Sequence, residues 1–399
     1  MHGQLNRLKA MKKSAKHMQQ IQPFRVMALL AEAKALEKSG RSIIHMEVGE
    51  PDFITPAPVI EAGIHSLKQG KTHYTPATGE PDLRQAISRY YQELFNIDVP
   101  SARIIITPGA SGALQLALSV LIDPGDKVIM ADPGYPCNRN FVYLLGGLPQ
   151  MINVGVETQF QITAELLQQH WQESTRAVIL ASPSNPTGTL ISKQEMQAIL
   201  TFVEQQNGMV IMDEIYQGLT YGTRAYSALE FSDNLFVINS FSKYFGMTGW
   251  RVGWIVAPDD YISDLDKLAQ NLFLAAATTS QQAAIAALEP EALTILDERR
   301  NEFRQRRDYL IPELKAMGFI IEVVPEGAFY IYADCSAITD DSFQFCHDVL
   351  HEAGVAITPG LDFGSNQPER YVRFAYTTNI EKLGQAVTRL KQYLHGREK

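Results

Sequence analysis

The sequence predicts an α/β protein whose large domain is built on a mostly parallel sheet covered by helices on both faces, joined to a smaller α+β domain. Three observations predict it. From about residue 103, short β-rich runs alternate with amphipathic helical segments, the pattern of strands joined by crossover helices. Past residue 290 the alternation gives way to a long charged helical segment, separate strands and closing helices, with no low-complexity linker between. The chain also has 399 residues, enough for more than one core at about 100–200 residues per domain.

Taken in order, Val26, Leu29, Leu30, Ala33 and Leu36 recur at helical spacing and stop at Ser39-Gly40, which predicts a helix over 24–38. The stretches 57–69 and 80–95, the second opened by Glu80-Pro81-Asp82, also read as helices. The β-rich runs are Arg103–Thr107, Lys127–Ala131, Arg176–Ala181, Met209–Asp213, Leu235–Asn239 and Val252–Val256, with amphipathic segments at 110–122, 161–171 and 192–206 between several of them. In the C-terminal part a helix is expected near 292–317, strands near 319–324, 328–333 and 370–376, and helices near 341–354 and 379–395. Gly-Glu-Pro-Asp occurs at 49–52 and again at 79–82, but its flanks are unrelated and no period continues, so it is not read as a repeat.

Composition narrows the function. With 45% apolar and 20% charged residues the chain is a folded globular protein, and its net charge of −9 repels phosphate backbones and anionic membranes. Nucleic acid and membrane are therefore not expected partners. The uncharged stretches 104–122, broken by Pro108, Gly109 and Gly112, and 268–288, with seven Gln, Asn, Thr or Ser residues, are too polar to span a bilayer. Cys137, Cys335 and Cys346 are scattered and lack metal spacing, which predicts a reducing cytoplasm and no metal site. Arg7, Lys9, Lys12, Lys13, Lys16 and Arg25 precede the first acidic residue, Glu32, yet no apolar run or cleavage site follows. Residues 1–20 are read as a flexible or partner-contacting arm, with targeting the less favoured reading.

Open α/β sheets bind ligands at the carboxyl ends of their strands, so the loops after the strands are where chemistry is sought. The densest signal there is Ser240-Phe-Ser-Lys-Tyr-Phe-Gly-Met-Thr-Gly-Trp-Arg-Val-Gly253. Lys243, flanked by Ser240 and Ser242 and followed by Arg251, can form a Schiff base while the two hydroxyls and the guanidinium hold a phosphate. That is a pyridoxal phosphate site in outline. The string resembles the lysine signature of the class I and II aminotransferases, enzymes of the aspartate aminotransferase fold.

The other strand ends can be matched to that resemblance. The cofactor ring acts as an electron sink when a buried carboxylate keeps its nitrogen protonated, and Asp213, in a string similar to the family's Asp-Glu-x-Tyr element with Glu214 and Tyr216, fits that role. Tyr216 and Asn185, the latter in Ser-Asn-Pro-Thr-Gly at 184–188, resemble the pair that hydrogen-bonds the cofactor's phenolic oxygen. The turn Thr107–Ala113 carries small residues into a helix N-terminus, where backbone N–H groups and the dipole favour an anion, and Ala110 and Ser111 resemble the phosphate cup. Tyr135, in Asp-Pro-Gly-Tyr-Pro, resembles the aromatic stacked on the ring. Arg373, in Tyr-Val-Arg-Phe-Ala, matches the arginine that grips the substrate α-carboxylate in two-pronged fashion, and Gly49 matches the substrate-loop glycine beside it. Tyr74 resembles the tyrosine that reaches across a homodimer to the partner's cofactor phosphate.

The resemblance runs from about residue 24 to the C-terminus. It implies an arm over 1–20, an N-terminal segment over 21–50 packing with the small domain, a large pyridoxal phosphate domain over 51–290 and a small domain over 291–399. The activity it implies is transamination between an L-amino acid and a 2-oxo acid with ping-pong kinetics, Lys243, Asp213 and Tyr216 being the catalytic residues. A carbon–sulfur β-lyase of the same fold is the alternative. A non-catalytic regulator is less favoured, because about 20 residues before the resemblance are too few for a DNA-binding module.

Overall fold

The computed structural model describes residues 14–23, 25–222 and 225–397. Residues 1–13 of the expected arm lie outside these, and Lys16–Gln19 form a single 3-10 turn.

Seven strands form the larger sheet, in the spatial order Ile104–Thr107, Gly253–Val256, Phe236–Ser240, Met209–Asp213, Thr175–Ala181, Lys127–Asp132 and Leu148–Asn153. Neighbours are parallel throughout, except that Gly253–Val256 runs against both strands beside it. The continuous apolar runs in the sequence arise because the strands are buried on both faces. Successive residues part to opposite sides: Ile104 and Ile106 join one apolar cluster and Ile105 the other, as Val210 and Met212 part from Met209 and Ile211. The helix Gly109–Leu121 covers the second cluster with Ala113, Leu114, Leu116 and Ala117. Because the parallel strands share a direction, Asp132, Asp213 and Ser240 all end at one edge of the sheet.

In the C-terminal part, Thr358–Pro359, Tyr371–Ala375 and Tyr330–Asp334 form a separate antiparallel sheet. The helices Pro290–Ala316 and Ile380–Arg397 lie where the sequence places them. Two expectations are corrected here. The strand expected near 319–324 reduces to one bridge, Ile320 to Asp334: Tyr330–Asp334 pairs along its length with Tyr371–Ala375 and meets this stretch only at its last residue. The helix expected over 341–354 is α-helical only at Ser342–Asp348 and widens into a π turn at Val349–Ala353, ended by Gly354 in the left-handed region.

The N-terminal segment belongs spatially with this part. The helix Arg25–Lys38 packs Leu29, Ala33 and Leu36 with Leu350 and Ala356, and Ile44–His45 pairs with Val355–Ala356. Asp362 accepts the N–H groups of Arg25 and Val26 at 3.1 and 2.8 Å, a cap supplied from the far end of the chain. All three cysteines are free, and among the described residues no helix is long and apolar enough to cross a membrane.

Candidate active site

A cavity of about 310 Å³ opens at the carboxyl edge of the larger sheet, between it and the C-terminal part. Every site residue expected from the sequence lines it except Tyr74, which is 84% exposed and stands outside.

Lys243 enters just past the end of the strand Phe236–Ser240, and its Nζ donates to the Gly49 carbonyl at 2.6 Å. Burial lowers its ammonium from the usual lysine range to about 8, with Arg373 and Arg251 acting the same way against Glu50 and Asp213. Asp213 ends the neighbouring strand, and its Oδ1 accepts the Ile215 N–H at 3.0 Å. Burial raises its carboxyl to about 6, opposed by that N–H and by Lys243. The adjacent Glu214 does not line the cavity; it accepts from the Ala228 N–H, Ser227 and Gln217 and anchors that loop.

One end of the cavity is built for an anion. Ser240 Oγ donates to Ser242 Oγ at 2.9 Å, and Arg251 Nη1 lies 3.4 Å from that same Ser242 Oγ. Arg251 has φ +53°, a left-handed conformation for a bulky side chain and one of the strained positions that concentrate at functional sites. Facing it is the N-terminus of Gly109–Leu121, whose first-turn N–H groups have no side-chain cap. Gly109 has φ +71°, and a Cβ there would stand 2.5 Å from Arg251 Nη2, so the turn and the guanidinium approach this closely only with glycine.

The other end is built for a planar anion. Arg373 is 3% exposed, not on an open strand face. Its Nη1 donates to Asn185 Oδ1 at 2.8 Å and its Nη2 to the Glu47 carbonyl, and its guanidinium carbon lies 4.2 and 4.7 Å from the Tyr330 and Phe363 ring centroids. Its buried Nε has no hydrogen-bond partner among the described residues. Since Arg373 occupies the Asn185 oxygen, the amide N–H groups of Asn185 are left to the cavity.

Sequence reasoning missed Tyr330, whose hydroxyl lies 2.8 Å from that of Tyr216 inside the cavity. A Cβ on Gly49 would meet the Tyr330 hydroxyl at 1.7 Å, so Gly49 leaves room for this phenol. The signal was the Gly-Ala-Phe-Tyr run entering the expected strand 328–333, which carries no motif of its own. Glu50, Thr248, Ile215, Val26 and Met27 also line the cavity, the last two from the helix Arg25–Lys38.

The family model for aminotransferase class I and II matches residues 41–390. The chain belongs to the class I and II aminotransferases. It is 39% identical to a (5-formylfuran-3-yl)methyl phosphate transaminase of Methanocaldococcus jannaschii, covering 96% of this chain and 99% of that one. It is 36% identical to a valine–pyruvate aminotransferase of Mycobacterium tuberculosis, covering 94% and 97%. Among solved structures, an aminotransferase from Mycobacterium tuberculosis superposes with a TM-score of 0.93 at 36% identity over 96% of this chain and 99% of that one. Aspartate aminotransferase from Thermus thermophilus with maleate superposes with 0.91 at 31% identity over 96% and 100%. This aminotransferase is accordingly a pyridoxal phosphate-dependent enzyme of amino-acid and 2-oxo-acid chemistry.

The cavity fits that cofactor on its own evidence. The uncapped helix terminus, the hydroxyl pair and Arg251 match a phosphate; the buried carboxylate of Asp213 matches a protonated ring nitrogen; and the lowered lysine matches an aldehyde.

Proposed function

We propose that Lys243 carries the pyridoxal phosphate of this aminotransferase as a Schiff base and is the general base of transamination. The observation behind this reading is the meeting in one cavity of Lys243, the Asp213 carboxylate, the anion cradle and Arg373. Pyridoxal phosphate supplies an aldehyde that condenses with amines and a ring that takes up the electron pair left when Cα loses its proton. Ser240, Ser242, Arg251 and the backbone N–H groups of Ala110 and Ser111 hold the phosphate. Asp213 holds a proton on the ring nitrogen, and Tyr135 packs on the ring. Asn185 and Tyr216 donate to its phenolic oxygen, with Tyr330 orienting Tyr216 through their 2.8 Å contact. Arg373 grips the substrate carboxylate, fixed in place by Asn185, Glu47 and two aromatic faces, and Gly49 keeps its backbone beside it. A lysine lowered to about 8 has a larger neutral fraction at pH 7 than an exposed one, and the neutral amine is the form that accepts the Cα proton.

The active unit in this reading is a cytoplasmic homodimer. Tyr74 stands exposed beside His73, whose carbonyl accepts from Thr278; Leu67, on the helix before Tyr74, and Leu272 and Leu274, shortly before Thr278, are exposed too. A partner covering this side would bring Tyr74 to its own cofactor phosphate.

The test is a half-reaction screen of amino acids followed by the cofactor's visible absorbance, with the keto product identified. Transamination yields a 2-oxo acid and leaves the amino group on the enzyme until an oxo acid collects it. Steady pyruvate and ammonia from cystathionine without added 2-oxo acid, faster than any transamination, would favour the β-lyase; the relatives' names favour transamination.

A further inference from the structure

Away from the cavity, two elements that meet only in the fold bring three metal-ligating groups together. His347, near the end of the helix Ser342–Asp348, and His351, in the π turn that follows, lie on one side of the same helical run. Their rings lie 4.4 Å apart, tilted by 31°. Glu32 comes from the helix Arg25–Lys38, and its Oε1 is 2.8 Å from His351 Nε2 and 3.8 Å from His347 Nε2. One ligand atom from each of the three residues lies within 4.8 Å of the others. Zinc bonds of about 2.0 Å at the tetrahedral angle put ligand atoms about 3.3 Å apart, a value that the two Glu32–histidine separations of 2.8 and 3.8 Å bracket.

We propose that Glu32, His347 and His351 form a binding site for one zinc ion, with water in the remaining position. Two imidazoles and a carboxylate are a donor set that suits zinc, and three protein ligands leave the ion open to solvent on its exposed side. Asp348 Oδ1, which accepts from Gln344 Nε2 at 2.7 Å, lies 3.7 Å from His347 Nδ1, beyond hydrogen-bond reach. The π turn is where a helix departs from its regular hydrogen bonding, and such turns are often kept at functional sites.

The site joins two parts of the fold that bear on catalysis. Glu32 is on the helix whose first turn supplies Val26 and Met27 to the active-site cavity, while the histidines belong to the C-terminal part. The ion cross-links that helix to the C-terminal part and holds this wall of the cavity in place.

The experiment is titration of the cofactor-loaded enzyme with Zn²⁺ by calorimetry after chelator treatment. A Co²⁺ titration follows the d–d absorption of four-coordinate cobalt. The expected result is one ion per chain, at least tenfold weaker binding in each of Glu32→Gln, His347→Gln and His351→Gln, and none in the triple variant. Zn²⁺ should also slow amide hydrogen exchange in residues 25–38 of the wild type and leave the triple variant unchanged. All three positions are at least partly exposed, and circular dichroism checks that the variants are folded. No binding by the wild type at millimolar Zn²⁺ overturns the proposal. So does equal binding by the folded triple variant.

Discussion

Replacing Arg373 by lysine keeps the charge and removes the shape. In the structure the guanidinium is fixed from two sides, Nη1 on Asn185 Oδ1 at 2.8 Å and Nη2 on the Glu47 carbonyl, and sandwiched by Tyr330 and Phe363. The remaining Nη N–H groups are the ones left for a carboxylate. A lysine can meet one carboxylate oxygen at a time, so one charge-assisted hydrogen bond is lost, about 1.5–3 kcal/mol. At about 1.4 kcal/mol per tenfold, binding weakens about 10- to 100-fold. Both substrates carry the same carboxylate, so amino acid and 2-oxo acid lose affinity by similar factors while cofactor affinity is unchanged. Single-turnover rates measured against the concentration of each substrate give both dissociation constants. Wild-type affinities in the variant, or a loss confined to one substrate, would refute the reasoning.

Asp213→Ala removes the charge that holds a proton on the ring nitrogen; a loss of about 3 kcal/mol in the rate-determining proton transfer lowers the single-turnover rate about a hundredfold, and a rate within threefold of wild type would show Asp213 to be structural. Lys243 sits at about 8 when folded against 10.5 in the open chain, so between these values the unfolded chain holds the extra proton and stability of the cofactor-free protein rises with pH. Below pH 8 the full penalty, up to about 3 kcal/mol, is present; cofactor-free Lys243→Met is therefore the more stable protein in urea at pH 7, by a margin that closes toward pH 10.5, and a constant margin contradicts this. Hybrids of Lys243→Ala and Tyr74→Phe chains should contain one wild-type site if Tyr74 serves its partner. Purified hybrids with no gain in cofactor affinity over the Tyr74→Phe homodimer would reject the shared site.

What the sequence made legible follows from which signals are local. Strands of the larger sheet that are buried on both faces read as unbroken apolar runs, so Met209–Asp213 and its neighbours stood out, as did Arg103–Thr107, whose strand Ile104–Thr107 lies at one edge of the sheet but is fully buried. The edge strand Leu148–Asn153 did not, since it is half-solvated and carries Pro149 and Gln150. The helix Thr278–Ala287 was missed because its small apolar and amide side chains show no clear period; Asp259–Leu272 was missed although Tyr261, Ile262, Leu265, Leu268 and Ala269 recur at helical spacing after Pro258-Asp259-Asp260. At the site, residues held in strand-end motifs were found, as with Asp213 and Lys243. Tyr330 was not, because its importance lies in two contacts with residues far away in sequence, the Tyr216 hydroxyl and the space left by Gly49. Tyr74 could be placed only by resemblance, and in a single chain its phenol faces outward.

The central claim is that Lys243 carries the cofactor, and it can be tested without turnover. Borohydride reduction of the cofactor-loaded enzyme fixes the cofactor to the lysine that holds it, and peptide mass spectrometry then reads the position. The account predicts a phosphopyridoxyl label on Lys243 alone, with Lys243→Ala unlabelled but still able to bind the cofactor through its phosphate contacts. A stoichiometric label on any other lysine, or one that persists in Lys243→Ala, would contradict it.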